Sequence, residues 1–264
     1  MLNIAQRLEK LPILPDKVNI LLDIKSSGNY DTKKLSQLIE YDPILSTRIL
    51  QLANSKHFGF TNKIYSATQA SSLFGLNFTV CVCVVELILN SLRFNLKPYG
   101  IQISEFTKLN DFLFKTLFSW ISEDKASLKE NLILPLFLKD IGKFFISDYL
   151  VKEGKSSNFN ALIKQGNIYQ TEENFVGIKS NDLSAKILRK WEINDTFINI
   201  IESLDDVNTT SESRVLRVLS TLGDFTKPFG KDNILKALEL SENFALDTNK
   251  LREIIDTLEK QYRA

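Results

Sequence analysis

Apolar residues recur along the chain at intervals of three and four, and no sustained alternation of period two is visible. One stripe spans residues 35–39 and a second spans residues 45–53. This spacing places apolar side chains on one face of a helix, whereas a half-buried strand needs every second residue to be apolar. The pattern predicts an all-α fold.

The break between these two stripes is the dipeptide Asp42-Pro43. An aspartate side chain accepts hydrogen bonds from the free amides at a helix start. Proline at the first helical position loses no hydrogen bond and already has a helical φ. One helix is therefore predicted to end near Tyr41 and the next to begin at Pro43.

A shorter helix is predicted over Ala67–Phe74. Ser66 and Gln69 have the spacing of a capping box, in which each side chain bonds a backbone amide at the helix start. Gly75 is placed to end this helix in the left-handed conformation. Asn77 is expected to cap the next helix, which continues through the two cysteines.

Residues 96–104 contain Pro98 and Gly100 and show no helical period. Such a stretch is typical of a boundary, and it divides the chain into two expected helical subdomains, residues 1–98 and 99–264. Helices in the second subdomain are predicted over 106–121, 132–150, 158–165, 180–191, 197–204 and 213–225, with a charged helical tail from 232. A loop before residue 213 contains Thr210 and Ser211, either of which can start a helix.

Charge and composition exclude several classes of protein. The 264 residues carry 33 Lys and Arg against 32 Asp and Glu, a net charge of +1, so no nucleic-acid partner is expected. The longest apolar run, residues 79–89, is interrupted by Glu86 and is shorter than the roughly 20 residues of a membrane span. With no signal peptide, and with Cys81 and Cys83 expected as buried reduced thiols, the sequence indicates a soluble cytoplasmic protein.

Three segments of the N-terminal half resemble the signature of the HDOD family, a regulatory relative of the HD phosphohydrolases. They are LPILP at 11–15, LIEYDPILSTRILQLANSKHFG at 38–59 and SATQASSLFG at 66–75. Between them they contain the family's paired Leu-Pro steps, its Asp-Pro helix start, its Asn-Ser near a Phe-Gly, and its Gln-Ala helix that ends in glycine. The resemblance implies an N-terminal helical subdomain packed on an HD-like helical bundle.

The C-terminal half is similar to the HD scaffold in pieces. LFLKDIGKFFI at 136–146 resembles the His-Asp-Ile-Gly-Lys helix of that family, with Lys139 in place of the histidine and Asp140 retained. SNDLSAKILRKW at 180–191 resembles a helix that usually begins with histidine, and Ser180 occupies that place. Asp224, within LSTLGDFTKPFG at 219–230, matches the closing aspartate of the last HD helix.

An active HD site gathers imidazoles and carboxylates around one or two divalent metals, which activate water against a phosphoester. This chain has a single histidine, His57, in the other subdomain. Lys139 is expected to form an ion pair with Asp140 and to repel a cation. We therefore expect no catalytic residue, no metal and no cofactor, and only Asp140 and Asp224 are residual metal-site candidates.

The candidate interaction surface is the segment that contains Asn54, Ser55, Phe58, Gly59 and Phe60. A loop held by a rigid scaffold commonly carries function, and an aromatic pair around a glycine can present an apolar contact to a partner. The structural alternative is that the two polar side chains cap a helix and the two rings fill the joint between the subdomains.

The resemblance to the HDOD family, together with the missing histidines, implies a non-catalytic regulatory module of bacterial signal transduction that binds an unidentified signalling protein. One alternative is a sensor that binds a nucleotide or a metal in the degenerate HD cleft. A divergent HD phosphohydrolase is a third hypothesis, which the histidine count opposes. The sequence leaves open whether the chain forms a homo-oligomer.

Overall fold

The computed structural model describes residues 4, 8–9, 11–26, 32–55, 62–92, 95–206, 210–224 and 228–263. The chain divides into two compact units, Pro12–Arg93 and a larger one that combines Met1–Leu11 with Phe94–Ala264. Every regular element in the described ranges is helical and none is a strand, which confirms the predicted all-α fold.

The smaller unit is built around one helix with apolar residues on nearly all of its faces. The helices are α1 (Asp16–Ser26), α2 (Thr32–Glu40), α3 (Pro43–Ala53), α4 (Ala67–Phe74) and α5 (Leu76–Ser91). Helix α5 has ten buried residues, including both cysteines, and α1 and α3 pack against it. A helix that is apolar all round is typical of a protein core.

The predicted start of α3 at Asp42-Pro43 is confirmed. Asp42 Oδ1 accepts hydrogen bonds from the amides of Ile44, at 3.0 Å, and Leu45, at 3.2 Å. Its other oxygen contacts the ammonium of Lys17. Burial alone would raise the pKa of Asp42, but the bonds from Lys17 and the two amides outweigh burial and lower it. Asp42 thus joins α1 to the start of α3.

The junction between α4 and α5 differs from its prediction in two respects, the conformation of Gly75 and the cap of α5. The predicted bounds of α4 are confirmed, and Ser66 Oγ accepts the amide of Gln69 at 3.1 Å. Gly75 has φ 78° but ψ 161°, which lies outside the left-handed helical region. Its carbonyl already accepts the amide of Thr79, so α5 begins directly at Leu76. The expected cap at Asn77 is therefore wrong.

The larger unit contains three short 3₁₀ turns, Lys97–Tyr99, Glu123–Lys125 and Ser203–Asp205, and ten α-helices in its described part. These are α6 (Ile103–Trp120), α7 (Ala126–Leu138), α8 (Ile141–Lys152), α9 (Ser156–Ile163), α10 (Ile168–Val176), α11 (Ser180–Lys190), α12 (Asp195–Glu202), α13 (Ser211–Leu222), α14 (Lys231–Asn243) and α15 (Thr248–Arg263). Helix α8 packs on α11, and α13 packs on both α7 and α14.

The single helix predicted over residues 132–150 is wrong, because two helices meet there at Lys139 and Asp140. The amide of Lys143 bonds the carbonyl of Asp140 at 3.0 Å and not that of Lys139. The Lys139 carbonyl instead lies 2.6 Å from Ser184 Oγ, on α11. A side chain from a neighbouring helix therefore replaces one bond of the helical ladder, and the helix is interrupted at that point.

Helix α10 is absent from the sequence prediction, although both of its ends carry standard signals. Asn167 accepts the amides of Tyr169 and Gln170, and Gly177 ends the helix in the left-handed conformation with φ 75°. The predicted start of α13 is confirmed, because Thr210 Oγ1 accepts the amide of Ser213.

Within the described ranges, no single helix combines the length and apolarity needed to cross a membrane. Helices α4 and α5 have the required length and apolarity only when they are taken together, and the chain bends by 119° between them.

Candidate functional site

The HD-like motif forms a buried cluster of charges at the junction of α7 and α8. Asp140 Oδ2 contacts Lys139 Nζ, and Asp140 Oδ1 accepts a hydrogen bond of 2.6 Å from Lys143 Nζ. All three residues are 3% exposed. The ion pair expected between Lys139 and Asp140 is therefore present, and a second lysine, Lys143, donates to the other carboxylate oxygen.

The two ammoniums determine the charge of this carboxylate. Burial would raise the pKa of Asp140, but Lys139 and Lys143 outweigh burial and hold it below its usual value. Burial would lower the pKa of Lys143, yet Asp140 and its other neighbours raise it above the usual range. Asp140 is ionised and Lys143 is protonated at neutral pH.

A second carboxylate, Glu172 on α10, lies in the same part of the unit with no exposed surface. Its Oε1 accepts a hydrogen bond of 3.0 Å from the hydroxyl of Tyr99, and its Oε2 accepts one of 2.7 Å from the amide of Ser180. Burial raises the pKa of Glu172, while Lys143 and these bonds oppose the rise. Glu172 thus satisfies a free amide at the start of α11, which has no side-chain cap of its own.

Lys143 connects the two carboxylates. Its Nζ lies 5.4 Å from the centre of the Tyr169 ring, within the range of a cation–π contact. It also interacts electrostatically with Glu172, one helical turn further along α10. Asp224, the closing aspartate predicted from the resemblance, is half-buried and acts on Lys139 and Tyr169. The structure therefore brings both candidates, Asp140 and Asp224, into electrostatic range of Lys139.

Helices α8 and α11 approach closely beside this cluster. A Cβ atom on Gly142 would lie 2.3 Å from the Ser180 carbonyl oxygen and 3.0 Å from the Ser184 amide. The amide of Gly142 donates to Ser184 Oγ at 2.9 Å, and the same hydroxyl lies 2.8 Å from the Ser180 carbonyl. Glycine is required here because no side chain fits between the two helices.

This donor set does not fit a resident divalent metal. In the described part of the chain, no three side chains of His, Cys, Asp or Glu come together as a group that could hold one. Both oxygens of Asp140 are occupied by ammoniums, which repel a cation. A metal would have to displace two buried lysines and would find no imidazole, since Lys139 and Ser180 stand at the histidine positions.

In the smaller unit, Asn54 has a structural role. Its side-chain amide donates to the carbonyls of Leu50, at 3.0 Å, and Ile64, at 2.8 Å, and its oxygen accepts the amide of Ile64 at 2.9 Å. Ser55 Oγ donates to the carbonyl of Leu52. Asn54 therefore joins the end of α3 to the chain before α4.

The remaining members of the candidate interaction surface, Phe58, Gly59 and Phe60, lie outside the described residues.

Several members of the charge cluster were not predicted from the sequence as site residues. They are Tyr99, Lys143, Tyr169, Glu172 and Ser184. The cap signals at Asn167 and Gly177 could have revealed α10. Glu172, within that short helix, would then have been a candidate site residue. No sequence signal pairs Tyr99 with Glu172, because the partners are 73 residues apart.

The sequence profile of the HDOD domain matches residues 11–207. The chain belongs to the HDOD family. No curated protein matches it at a significant level.

Three solved structures resemble this HDOD protein in fold. An HDOD domain protein of unknown function from Geobacter sulfurreducens has 15% identity and a TM-score of 0.71, covering 98% of this chain and 95% of that one. A protein from Shewanella amazonensis SB2B, provisionally assigned as a phosphohydrolase, has 16% identity and a TM-score of 0.72, covering 98% and 95%. A protein from Marinobacter aquaeolei VT8, provisionally assigned to signal transduction, has 14% identity and a TM-score of 0.71, covering 100% of this chain and 60% of that longer one.

Proposed function

We propose that this HDOD protein is a non-catalytic regulatory module of bacterial signal transduction that acts by binding another protein. The observation that carries the proposal is the occupation of both Asp140 oxygens by Lys139 and Lys143. Phosphoester hydrolysis on an HD scaffold needs those oxygens for a metal that activates water.

The same cluster disfavours the alternative of a nucleotide or metal sensor at this place. Lys139, Asp140, Lys143 and Glu172 are almost completely buried, and their charged groups already have partners inside the protein. A ligand there would have to break a buried charge network, and leaving one partner of such a pair uncompensated costs several kcal/mol, about 3 to 5.

Support for protein binding comes from exposed apolar side chains on the smaller unit. Ile13 is 92% exposed, Tyr41 85% and Tyr65 75%. The hydroxyl of Thr68 donates to Glu40 at 2.6 Å, and this bond joins the end of α2, beside Tyr41, to the first turn of α4, shortly after Tyr65. Tyrosines are enriched at protein interfaces because they combine a large apolar ring with a hydrogen-bonding hydroxyl.

The family and its structural relatives agree with a regulatory role at a coarse level. The chain is an HDOD protein, and the relative from Marinobacter aquaeolei is provisionally assigned to signal transduction. The relative from Shewanella amazonensis is provisionally assigned as a phosphohydrolase, so catalysis needs a direct test.

The catalytic part of the proposal is tested on the purified full chain. We expect less than stoichiometric Zn, Fe and Mn by elemental analysis, and no hydrolysis of a chromogenic phosphodiester or of nucleotides with added Mn²⁺ or Mg²⁺. A Lys139→His variant is assayed in parallel, since it restores an imidazole beside Asp140. About one tightly held transition metal per wild-type chain, with turnover that a chelator abolishes, would refute the proposal.

The binding part is tested by capture from a native lysate with a Tyr41→Ser, Tyr65→Ser double variant. We expect this variant to lose proteins that the wild type retains, with an unchanged melting temperature because both rings are exposed. The matched control is Leu235→Ser, which removes a 64% exposed apolar side chain from the larger unit. Identical capture by wild type and double variant would contradict a role for these tyrosines.

The segment predicted from the sequence is tested in the same experiment. Phe58→Ala and Phe60→Ala should each weaken capture at an unchanged melting temperature if the rings contact a partner. A loss of about 3 to 5 kcal/mol in the free energy of unfolding would instead indicate buried rings that support the fold.

A further inference from the structure

The larger unit has a groove of about 670 Å³ between the 3₁₀ turn Lys97–Tyr99 and helix α9. Its volume lies within the range of small-molecule sites, roughly 300 to 1,000 Å³. One lining residue is apolar, Ala161, and the others are polar or basic. They are Lys97, Ser156, Ser157, Asn160, Lys164 and Gln165.

The groove is positively charged and has unused hydrogen-bond donors. No acidic side chain lines it, and within the described part of the chain neither Lys97 nor Lys164 forms an ion pair. The hydroxyls of Ser156 and Ser157 likewise have no hydrogen-bond partner among the described residues. They lie in the first turn of α9, which has no side-chain cap. Two ammoniums and two hydroxyls thus line one concave surface, which runs along α9 from the free amides of its first turn to Lys164 at its C-terminal end.

The two walls of the groove are fixed to each other. Asn160 Nδ2, on α9, donates to the Pro98 carbonyl at 3.1 Å. The Tyr99 ring packs edge-to-face on Phe159, with 5.1 Å between ring centres. Gly100 is left-handed, with φ 77°, and a Cβ there would lie 2.8 Å from Asn160 Nδ2. A groove with walls held in this way needs little ordering when a ligand binds, and this favours affinity.

We propose that this groove binds a small molecule through its phosphate group. Lysine ammoniums, serine hydroxyls and free amides at a helix start are the groups that recognise phosphate in proteins. No aromatic ring lines the groove, so a nucleobase would have nothing to stack on, and the phosphate is the recognised part. The site is separate from the charge cluster and does not depend on whether the chain binds a partner protein.

The test uses the purified full chain and sodium pyrophosphate as the probe, followed by calorimetry and by thermal unfolding. Sodium chloride at equal ionic strength is the reference, because screening alone changes weak electrostatic effects. We expect saturable binding of pyrophosphate and a rise in melting temperature that chloride does not produce. Absence of saturable binding would overturn the proposal.

A Lys97→Ala, Lys164→Ala double variant should bind pyrophosphate about tenfold more weakly or worse, because charge-assisted hydrogen bonds contribute at least that factor. The matched control is Lys186→Ala, Lys236→Ala, which removes the same charge from exposed positions of the same unit. An equal loss in both variants would show a response to net charge and would also overturn the proposal.

A further arm distinguishes the sources of the phosphate. Vesicles that contain phosphatidic acid are sedimented with the protein, with and without pyrophosphate. If the wild type sediments with the vesicles, pyrophosphate prevents this, and the Lys97→Ala, Lys164→Ala variant does not sediment, then the recognised phosphate belongs to a lipid headgroup. With pyrophosphate binding established, absence of sedimentation identifies a soluble phosphate compound.

Discussion

Tyr99 and Glu172 are 73 residues apart in the sequence, and the tyrosine hydroxyl donates a hydrogen bond of 3.0 Å to the buried carboxylate. The bond links the 3₁₀ turn that lines the groove to the helix that supplies Glu172. Through its second oxygen Glu172 also holds the amide of Ser180, at the start of α11. One carboxylate therefore connects three segments of the larger unit.

Tyr99→Phe is predicted to lower the free energy of unfolding by about 1 to 3 kcal/mol, because it leaves a buried carboxylate oxygen without its donor. Chemical denaturation measures the change. The matched control is Tyr41→Phe, which removes a hydroxyl from a ring that is 85% exposed and should change stability by less than about 0.5 kcal/mol. Equal effects of the two substitutions would show that the Tyr99 hydroxyl has no special role.

Asp140→Asn is predicted to destabilise the fold by about 3 to 5 kcal/mol, because it removes the carboxylate charge that pairs directly with the buried ammoniums of Lys139 and Lys143. Lys139→Met should cost much less, since Asp140 keeps its bond to Lys143 and the thioether side chain fills similar space. Denaturant titration of both variants measures the difference. A larger loss for Lys139→Met than for Asp140→Asn would contradict this account of the cluster.

Gly142→Ala is predicted to destabilise by about 1 to 3 kcal/mol or more, because the new methyl group overlaps the Ser180 carbonyl and forces α8 away from α11. Gly166→Ala is the control, since a Cβ there meets its nearest neighbour, the Leu162 carbonyl oxygen, at an ordinary 3.5 Å. Melting temperatures of the two variants give the comparison. A wild-type melting temperature for Gly142→Ala would show that the two helices separate without cost.

Asp42→Asn is predicted to flatten the pH dependence of stability in acid. The pKa of Asp42 is lower in the folded chain than its usual value, so its charge stabilises the fold above about pH 4 and the stabilisation is lost as the pH falls through the folded pKa. Asparagine keeps the helix cap but cannot pair with Lys17.

Unfolding free energies of wild type and Asp42→Asn should therefore converge as the pH falls below about 4. Asp42→Ala, which also removes the cap, should stay less stable than Asp42→Asn at every pH, by about 1 kcal/mol. If the difference in unfolding free energy between wild type and Asp42→Asn stays constant from pH 7 to acid, the charge of Asp42 does not contribute to stability.

The sequence by itself determined the helical class and many of the helix ends. Three helices begin at the predicted caps, which are Asp42-Pro43, Ser66 and Thr210. These starts were predictable because a cap depends on residues within three or four positions of one another. The ion pair of Lys139 with Asp140 could be predicted for the same reason, because the two residues are adjacent in the chain.

Only the tertiary structure decided which distant groups meet. Ser184 bonds the Lys139 carbonyl from another helix and so divides the helix predicted over residues 132–150. Glu172 is a charged residue on a helix that the apolar pattern did not reveal, and burial against Tyr99 and Ser180 gives it its role. Local propensity depends on neighbours along the chain, whereas the charge cluster depends on how helices pack, and the spacing of residues in the sequence does not encode that packing directly.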